Sequence, residues 1–258
     1  MKKYFFAIVL FLLGIATQAK AGFTPLVGEE LTYEVSYMGI KLGTIVISTE
    51  KTETYNGNNC YITKADIATY KSIPFLDIKV LYNSFTDKSI TCSHRFLGKY
   101  KSGGYSDLHK IYFNYDKKNI YISKENANGK YFEKSFQNTK KFADGLTLFF
   151  MARNFLTTGK KITIPTIVDK DLALTEISFT GKTQGTKCRA VKYPVATKYF
   201  SGLAHWTGVY GLSGTFEGWF SNDDARVPIK AKLQLYLGSA DVELIKYKRK
   251  GWTPPESK

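Results

Sequence analysis

The stretch that decides the fold is Asp144-Gly-Leu-Thr-Leu-Phe-Phe-Met-Ala-Arg-Asn-Phe-Leu156, the clearest helical pattern in the chain. An acid stands at its start and Gly159 follows its end, which is the order that helix caps favour. Two adjoining faces of the predicted helix are almost entirely apolar: Leu148, Met151, Ala152 and Phe155 lie on one, and Leu146, Phe149, Phe150 and Arg153 on the other. A helix that is apolar on most sides has to be covered by the rest of the protein.

Outside this helix, period-two alternation dominates and predicts antiparallel strands. In Leu31-Thr-Tyr-Glu-Val-Ser-Tyr37 the odd positions are apolar or aromatic, and Gly39 breaks the run at the turn of a first hairpin. Further turns are predicted at residues 55–59, 116–119, 125–129 and 238–239, and a short turn or helix at 73–80. The predicted fold is mainly β, with a strongly curved antiparallel sheet, an incomplete β-barrel, wrapped around one buried helix.

The composition is that of one β-rich globular domain. Hydrophobic residues make up 43% and charged residues 23% of the 258 residues, which excludes intrinsic disorder, and 18 Tyr with 18 Phe favour strands. No linker, repeat or low-complexity tract divides the chain. We therefore expect residues 22–248 to form a single domain, followed by a loose polar tail at 249–258.

The N-terminus has the order of a secretory signal peptide. Met1-Lys-Lys3 is positive, residues 4–16 are apolar, and Ala19-Lys-Ala21 has small residues where a signal peptidase reads them. The apolar run is shorter than the roughly 20 residues that a transmembrane helix needs. We expect cleavage after Ala21, a periplasmic location and no membrane-spanning segment, with an uncleaved anchor as the alternative.

The charge of the exported chain is strongly positive. The full sequence carries +15, and without residues 1–21 it has 34 Lys and Arg against 22 acids, or +12. Ten Lys and four acids fall between Lys99 and Lys141, either as a solvated hairpin face or as a patch for an anionic surface. A basic exported protein meets lipid or another anionic amphiphile, or a cell-envelope protein, as its partner; nucleic acid is not expected.

The nucleophilic and metal-binding residue types form no recognisable pattern. Cys60, Cys92 and Cys188 could form one disulfide in any of three pairings, or none, as small apolar side chains on strands. The three His residues stand singly, and no GxSxG elbow or phosphate-binding loop is present. We expect no cofactor, no metal site and no catalytic residue, although a hydrolase stays an alternative.

A glycine-rich stretch and a late turn are the candidate functional segments. Residues 201–219 hold five Gly with large aromatic residues between them, as a lid or rim over an apolar ligand or as an irregular loop packed on the barrel end. The turn would be structural, with Asp223 and Asp224 capping backbone donors, Arg226 pairing with one acid and Pro228 restricting its neighbour. The predicted ligand-binding residues are Phe149, Phe150, Arg153, Trp206, Tyr210, Phe216 and Trp219.

These segments together resemble a bacterial exported family called domain of unknown function 3108. The resemblance covers residues 27–248 and rests on the opening strands at 28–43, on Asp144-Gly-Leu with Arg153, on Leu237-Gly-Ser239, and above all on Trp-x-x-x-Asp-Asp-x-Arg-x-Pro at 219–228. The family pattern Asp-Pro-Leu-Ser is here Asp144-Gly-Leu-Thr147. The resemblance implies a fold similar to the periplasmic lipoprotein carriers, with a helical plug and an apolar cavity, and it implies no activity.

These features favour two functions and disfavour a third. The first is a non-enzymatic periplasmic protein that binds an amphiphile or a cell-envelope component in an apolar half-barrel. The second is an envelope structural or assembly factor that acts through protein contacts. An outer-membrane barrel is disfavoured, because the chain ends in a polar tail and Lys on lipid-facing strands is costly.

Overall fold

The chain folds as one long meandering sheet. The computed structural model describes residues 22–73, 77–138, 140–207, 214–235 and 238–258, and within them it contains fifteen strands and one helix. The elements in chain order are β1 (Glu30–Tyr37), β2 (Ile40–Tyr55), β3 (Asn58–Thr69), β4 (Lys79–Asp87), β5 (Ser93–Ser102), β6 (Tyr105–Asn114), β7 (Asn119–Asn126), β8 (Gly129–Gln137), β9 (Ala143–Asp144), α1 (Gly145–Phe155), β10 (Lys161–Val168), β11 (Asp171–Thr186), β12 (Val195–Ala204), β13 (Gly214–Ser221), β14 (Pro228–Gln234) and β15 (Ser239–Lys248). The predicted signal peptide at 1–21, residues 74–76 of the predicted turn or helix, Tyr210 and Leu237 lie outside the described residues.

The strand order shows that the sheet is curved but not closed. It runs β8-β7-β6-β5-β4-β3-β2-β1-β15-β14-β13-β12-β11-β10-β9. The first strand of the chain, β1, therefore pairs with the last, β15, in the middle of the sheet. All neighbours are antiparallel except β9 and β10. The two ends of this order, β8 and β9, are not paired with each other. The predicted fold class, an incomplete barrel around a helix, is confirmed.

The first hairpin shows how the local sequence sets the register. Leu31, Tyr33 and Val35 are buried, as the alternation predicts. The turn residues Met38 and Gly39 both have positive φ, 47° and 81°, which is the backbone of a two-residue turn whose twist matches that of paired strands. The hairpins predicted at 55–59, 116–119 and 125–129 are confirmed as the β2–β3, β6–β7 and β7–β8 turns.

The helix α1 lies where the sequence predicts it. The Asp144 side chain accepts hydrogen bonds from the backbone N–H groups of Leu146 and Thr147 at 2.8 and 2.9 Å, so it caps the first turn. Burial raises the pKa of the Asp144 carboxyl. Its other oxygen accepts a hydrogen bond from Ser84 of β4 at 2.5 Å, which fixes the start of α1 against the sheet.

Antiparallel connections place successive turns at opposite ends of the curved sheet. We call the end that holds α1, the β2–β3, β4–β5 and β6–β7 turns and residues 249–258 the helix end. The other, the open end, holds the β1–β2 turn at 38–39, the β5–β6 turn at 103–104, the β7–β8 turn at 127–128 and the β10–β11 turn at 169–170. The main apolar core fills the sheet interior around α1, toward the helix end.

The expectation of a loose C-terminal tail is wrong. The Trp252 ring packs edge-on against Tyr247 with centroids 4.9 Å apart, and its Nε1–H donates to Asp223 at 2.7 Å. Glu256 forms a β-bridge with Val195, and the Pro255 carbonyl accepts from the Ala196 N–H at 2.7 Å. A polar composition did not reveal these contacts, because one tryptophan and backbone hydrogen bonds are enough to dock the segment.

Candidate functional site: an apolar cavity

A cavity of about 560 Å³ lies inside the curved sheet, between α1 and the open end. Every strand except β7, β8 and β9 contributes to the wall, together with one side of α1. The wall is mainly aliphatic and aromatic and includes Tyr33, Ile45, Ile47, Ala65, Ile67, Tyr82, Phe96, Ile111, Leu148, Phe149, Ile167, Ile177, Phe200, Trp206, Phe216, Phe220, Leu233 and Val242. Its size falls in the range of small-molecule sites in proteins.

Strand alternation explains why these side chains point inward. Ile45 and Ile47 on β2, and Ala65 and Ile67 on β3, lie two residues apart and so share the concave face. The small side chain of Ala65 leaves open volume opposite α1. The cavity is thus a direct result of the period-two pattern combined with a few small residues on the inner face.

Of the glycine-rich stretch, predicted as a lid or rim or as an irregular loop, residues 201–204 and 214–219 are strand. Gly202 lies on β12 and Gly218 on β13. A Cβ atom at Gly202 would lie 2.2 Å from the Phe216 ring, and one at Gly218 would lie 2.5 Å from the Phe200 ring. Both glycines therefore make room for aromatic rings of the neighbouring strand. Residues 208–213 lie outside the described part of the chain.

The predicted ligand-binding residues divide between the cavity wall and other surroundings. Phe149, Trp206 and Phe216 lie on the wall, and the Trp206 Nε1–H donates to Thr175 at 2.7 Å. Phe150 is buried in the core beneath α1, away from the cavity. Trp219 lies on the other face of β13, with its ring 5.8 Å from that of Tyr199. Phe150 and Trp219 therefore do not line the cavity.

Arg153 is also absent from the wall, because it forms a buried ion pair at the helix end. Its side chain is fully buried, and its Nη1 and Nη2 donate to the two Glu29 carboxylate oxygens at 2.5 and 3.0 Å. Nη2 also donates to the Ala225 carbonyl at 2.8 Å, and the guanidinium stacks 4.2 Å from the Phe23 ring centre. Burial alone would raise the pKa of Glu29, but the charges and hydrogen bonds of Arg153 and Arg249 lower it overall.

The Asp223–Pro228 turn joins the same network, and Arg226 contacts the last turn of α1. The Asp223 carboxylate accepts from the backbone N–H of Arg226 at 3.1 Å, as a capping side chain does. The Arg226 guanidinium donates to the carbonyls of Arg153 and Asn154, in the last turn of α1, at 3.1 and 3.0 Å. A cation at a helix C-terminus is favourable. Asp224 is exposed, and Pro228 borders the cavity.

A small polar group lies among the apolar wall residues. His109 on β6 faces the β10–β11 turn, where Asp169 forms an ion pair with Lys124 of β7. Burial, and after it the charge of Lys124, lowers the pKa of His109 from 6.5 to about 4. His109 is therefore neutral at physiological pH. The Lys124–Asp169 pair spans the gap between the two unpaired ends of the sheet.

Exposed apolar residues are concentrated at the open end. Of the seven large apolar side chains that are exposed in the described residues, six lie at or near this end: Met38, Ile40, Tyr105, Tyr131, Leu172 and Leu174. Met38, in the first hairpin turn, and Ile40, directly after it, are 76% and 57% exposed. The seventh, Val27, precedes β1 at the helix end.

The thiols and one histidine have surroundings that the sequence reading missed. Cys60, Cys92 and Cys188 are buried and free, so none of the three possible disulfides is formed. Asp87, Cys92 and His94 come together at the β4–β5 turn, with their potential metal-binding atoms all within 4.8 Å of one another. The signal for this cluster was the spacing Asp-x4-Cys-x-His, which His94 on its own did not reveal.

One of two similar solved structures supports the fold. In the described residues no helix has the length and apolarity of a transmembrane span. A beta-barrel-like protein of DUF1849 from Brucella abortus is similar over 88% of this chain and 98% of its own, with 11% identity and a TM-score of 0.57. A Bacteroides fragilis protein with a YmcC-like fold aligns over 89% of this chain and 100% of its own, with 10% identity and a TM-score of 0.37. No curated protein matches the sequence significantly.

Sequence comparison assigns the family. The family model described as "Protein of unknown function (DUF3108)" matches residues 32–245, which span β1 to β15 and contain α1, the cavity wall and the Asp223–Pro228 turn. The resemblance stated from the motifs is thus confirmed, and this chain belongs to the DUF3108 family.

Proposed function

We propose that this protein is a non-enzymatic, exported periplasmic protein that binds the acyl part of an anionic amphiphile in the cavity. The observation that carries the proposal is the cavity of about 560 Å³, walled by aliphatic and aromatic side chains and lying inside an unclosed sheet. Solid packing of side chains is the usual state of a protein interior, so a space of this size needs an occupant to offset the lost contacts.

The wall chemistry favours an acyl chain. Each methylene group moved from water into an apolar site contributes about 0.8 kcal/mol. About ten methylenes would contribute roughly 8 kcal/mol, from which the cost of association is then subtracted. An alkyl chain is flexible, so it can bend to follow a curved wall that is formed by many strands.

The charge of the chain favours an anionic head group. Lys230 on β14 borders the cavity, and the chain without residues 1–21 carries +12. At the open end Lys41 and Lys170 are exposed near Met38, Ile40 and Leu172. Apolar side chains beside Lys suit contact with a lipid surface, and salt would weaken the Lys contribution.

Binding to purified protein tests this proposal. We would titrate the chain comprising residues 22–258 with a fluorescent fatty acid and compete it with unlabelled fatty acid. We expect saturable, competable binding. Ala65→Phe, which fills the cavity from β3, should weaken binding at least tenfold, whereas Thr52→Phe, on an exposed part of β2, should leave it unchanged. Absence of competable binding by the folded protein would contradict the proposal.

A second candidate function is an envelope assembly factor that acts through protein contacts. The exposed Met38, Ile40, Leu172 and Leu174 favour it, because exposed apolar residues concentrated at one end of a protein also mark interfaces. Crosslinking in cells separates the two functions. If the protein binds an amphiphile, Ala65→Phe should abolish the amphiphile-dependent phenotype. If it is an assembly factor, Met38→Ser with Ile40→Ser should abolish crosslinks to a stable partner.

A further inference from the structure

The β4–β5 turn gathers three side chains with the donor atoms that zinc prefers. Asp87 ends β4, Cys92 precedes β5 and His94 is its second residue. His94 Nε2 lies 3.5 Å from Asp87 Oδ2, and these two atoms and the Cys92 sulfur all lie within 4.8 Å of one another. Cys92 and His94 are buried, and Asp87 is partly exposed, so the cluster has one side open to solvent.

The turn holds this arrangement with its own hydrogen bonds. The Asp87 N–H donates to the Cys92 carbonyl at 2.9 Å, which brings the first two side chains together. Asp87 Oδ1 accepts from the Ser89 N–H at 2.8 Å and from the Thr91 hydroxyl at 3.4 Å. These contacts orient the carboxylate so that Oδ2 faces His94.

We propose that Asp87, Cys92 and His94 bind a zinc ion. Zinc takes thiolate sulfur at about 2.3 Å and imidazole nitrogen or carboxylate oxygen at about 2.0–2.2 Å. Around a tetrahedral ion such ligand atoms lie roughly 3.3–3.8 Å apart. The distance between Asp87 Oδ2 and His94 Nε2 is already within this range. The distances from these two atoms to the Cys92 sulfur need to shorten by about 1 Å or less. Water completes the coordination from the side where Asp87 meets solvent.

Zinc binding releases one proton, from the Cys92 thiol, and requires no other reactant. The Cys92 S–H bond breaks as the S–Zn bond forms, and the proton leaves to solvent. The residue between two of the ligands, Ser93, donates its N–H to the Phe142 carbonyl and accepts from the Asp144 N–H, each at 2.8 Å. The ion would therefore fix the segment that holds the start of α1, a structural role independent of the amphiphile proposal.

Metal analysis and cobalt substitution test the proposal. We would dialyse the purified chain comprising residues 22–258 against zinc, remove free metal and measure bound zinc by mass spectrometry. We expect one zinc per chain, a higher unfolding temperature with zinc than after chelation, and, with Co²⁺ in place of zinc, a thiolate-to-cobalt charge-transfer band.

Matched cysteine variants identify the ligands. The double variant Cys60→Ala/Cys188→Ala keeps Cys92 as its only thiol and should retain one zinc and the cobalt band. Cys92→Ala and His94→Gln should each lower zinc affinity at least tenfold, with folding checked by circular dichroism. Zinc binding below one-tenth of an ion per chain in the folded wild-type protein would overturn the proposal. Full binding by folded Cys92→Ala would overturn it too.

Discussion

The helix end and the open end of this sheet satisfy opposite physical demands. At the helix end, charged groups are buried but paired: Arg153 with Glu29, and Asp144 with the backbone of α1. At the open end, apolar groups such as Met38 and Ile40 are left in water. The difference teaches that buried, paired charge is concentrated where α1 meets the sheet, while the far end leaves apolar side chains exposed.

The largest effect should come from breaking the buried ion pair. Arg153→Met leaves Glu29 buried, and we expect a loss of about 3 kcal/mol in the free energy of unfolding, the lower part of the range for such pairs because Arg249 still contacts Glu29. Urea unfolding followed by tryptophan fluorescence measures it.

The matched control is an exposed ion pair at the other end. Lys130 and Glu133 on β8 are 2.8 Å apart and in water, so Lys130→Met should not shift the urea midpoint. If Arg153→Met and Lys130→Met lower the free energy of unfolding equally, the contrast between a buried ion pair at the helix end and an exposed one at the open end is contradicted.

The docked C-terminal segment provides the next test. Trp252→Ala removes the packing on Tyr247 and the hydrogen bond to Asp223. We expect the free energy of unfolding to fall by about 2 kcal/mol. This is less than for a fully buried tryptophan, because the Trp252 ring is half-buried. Tyr131→Ala, an exposed aromatic residue at the open end, is the comparison and should change stability little. A smaller loss for Trp252→Ala than for Tyr131→Ala would show that the segment is not docked.

The cavity wall between the two ends should respond to acid. Because the pKa of His109 is lowered from 6.5 to about 4, the unfolded chain takes up a proton in this range that the folded chain does not. The stabilisation is therefore complete above pH 6.5 and decreases as the pH falls toward 4, with a slope of at most about 1.4 kcal/mol per pH unit. The free energy of unfolding of wild type and of His109→Gln should be measured across this pH range, and its dependence on pH should be shallower for the variant. The same pH dependence in both proteins would contradict the lowered pKa of His109.

The smallest effect on stability is expected at the open end itself. Met38→Ser with Ile40→Ser replaces exposed side chains, so the free energy of unfolding should stay within about 0.5 kcal/mol of wild type. If this end admits the ligand, transfer of a fluorescent fatty acid from vesicles to the protein should slow. Unchanged transfer would place ligand admission elsewhere.

The local structure could be read from the sequence, whereas the pairing of distant side chains could not. Alternation predicts the strands, and Asp144 with Gly159 predicts the limits of α1, because both depend on neighbouring residues. Arg153, in contrast, is 124 positions from Glu29, and no local pattern connects them. Sequence alone does not specify the face of β13 on which Trp219 lies, because that depends on the limits of the strand and on its neighbours. The cluster at Asp87, Cys92 and His94 depends on a turn geometry that spacing alone does not specify.

The unpaired ends of the sheet have a consequence for the width of the cavity. In a fully closed cylinder, strand number and stagger set the diameter. Here the circumference is interrupted between β8 and β9, and side chains such as Lys124 and Asp169 bridge the interruption. The diameter here is therefore not fixed by a closed ring of ladder hydrogen bonds, and the width of the cavity depends on side-chain contacts across the interruption.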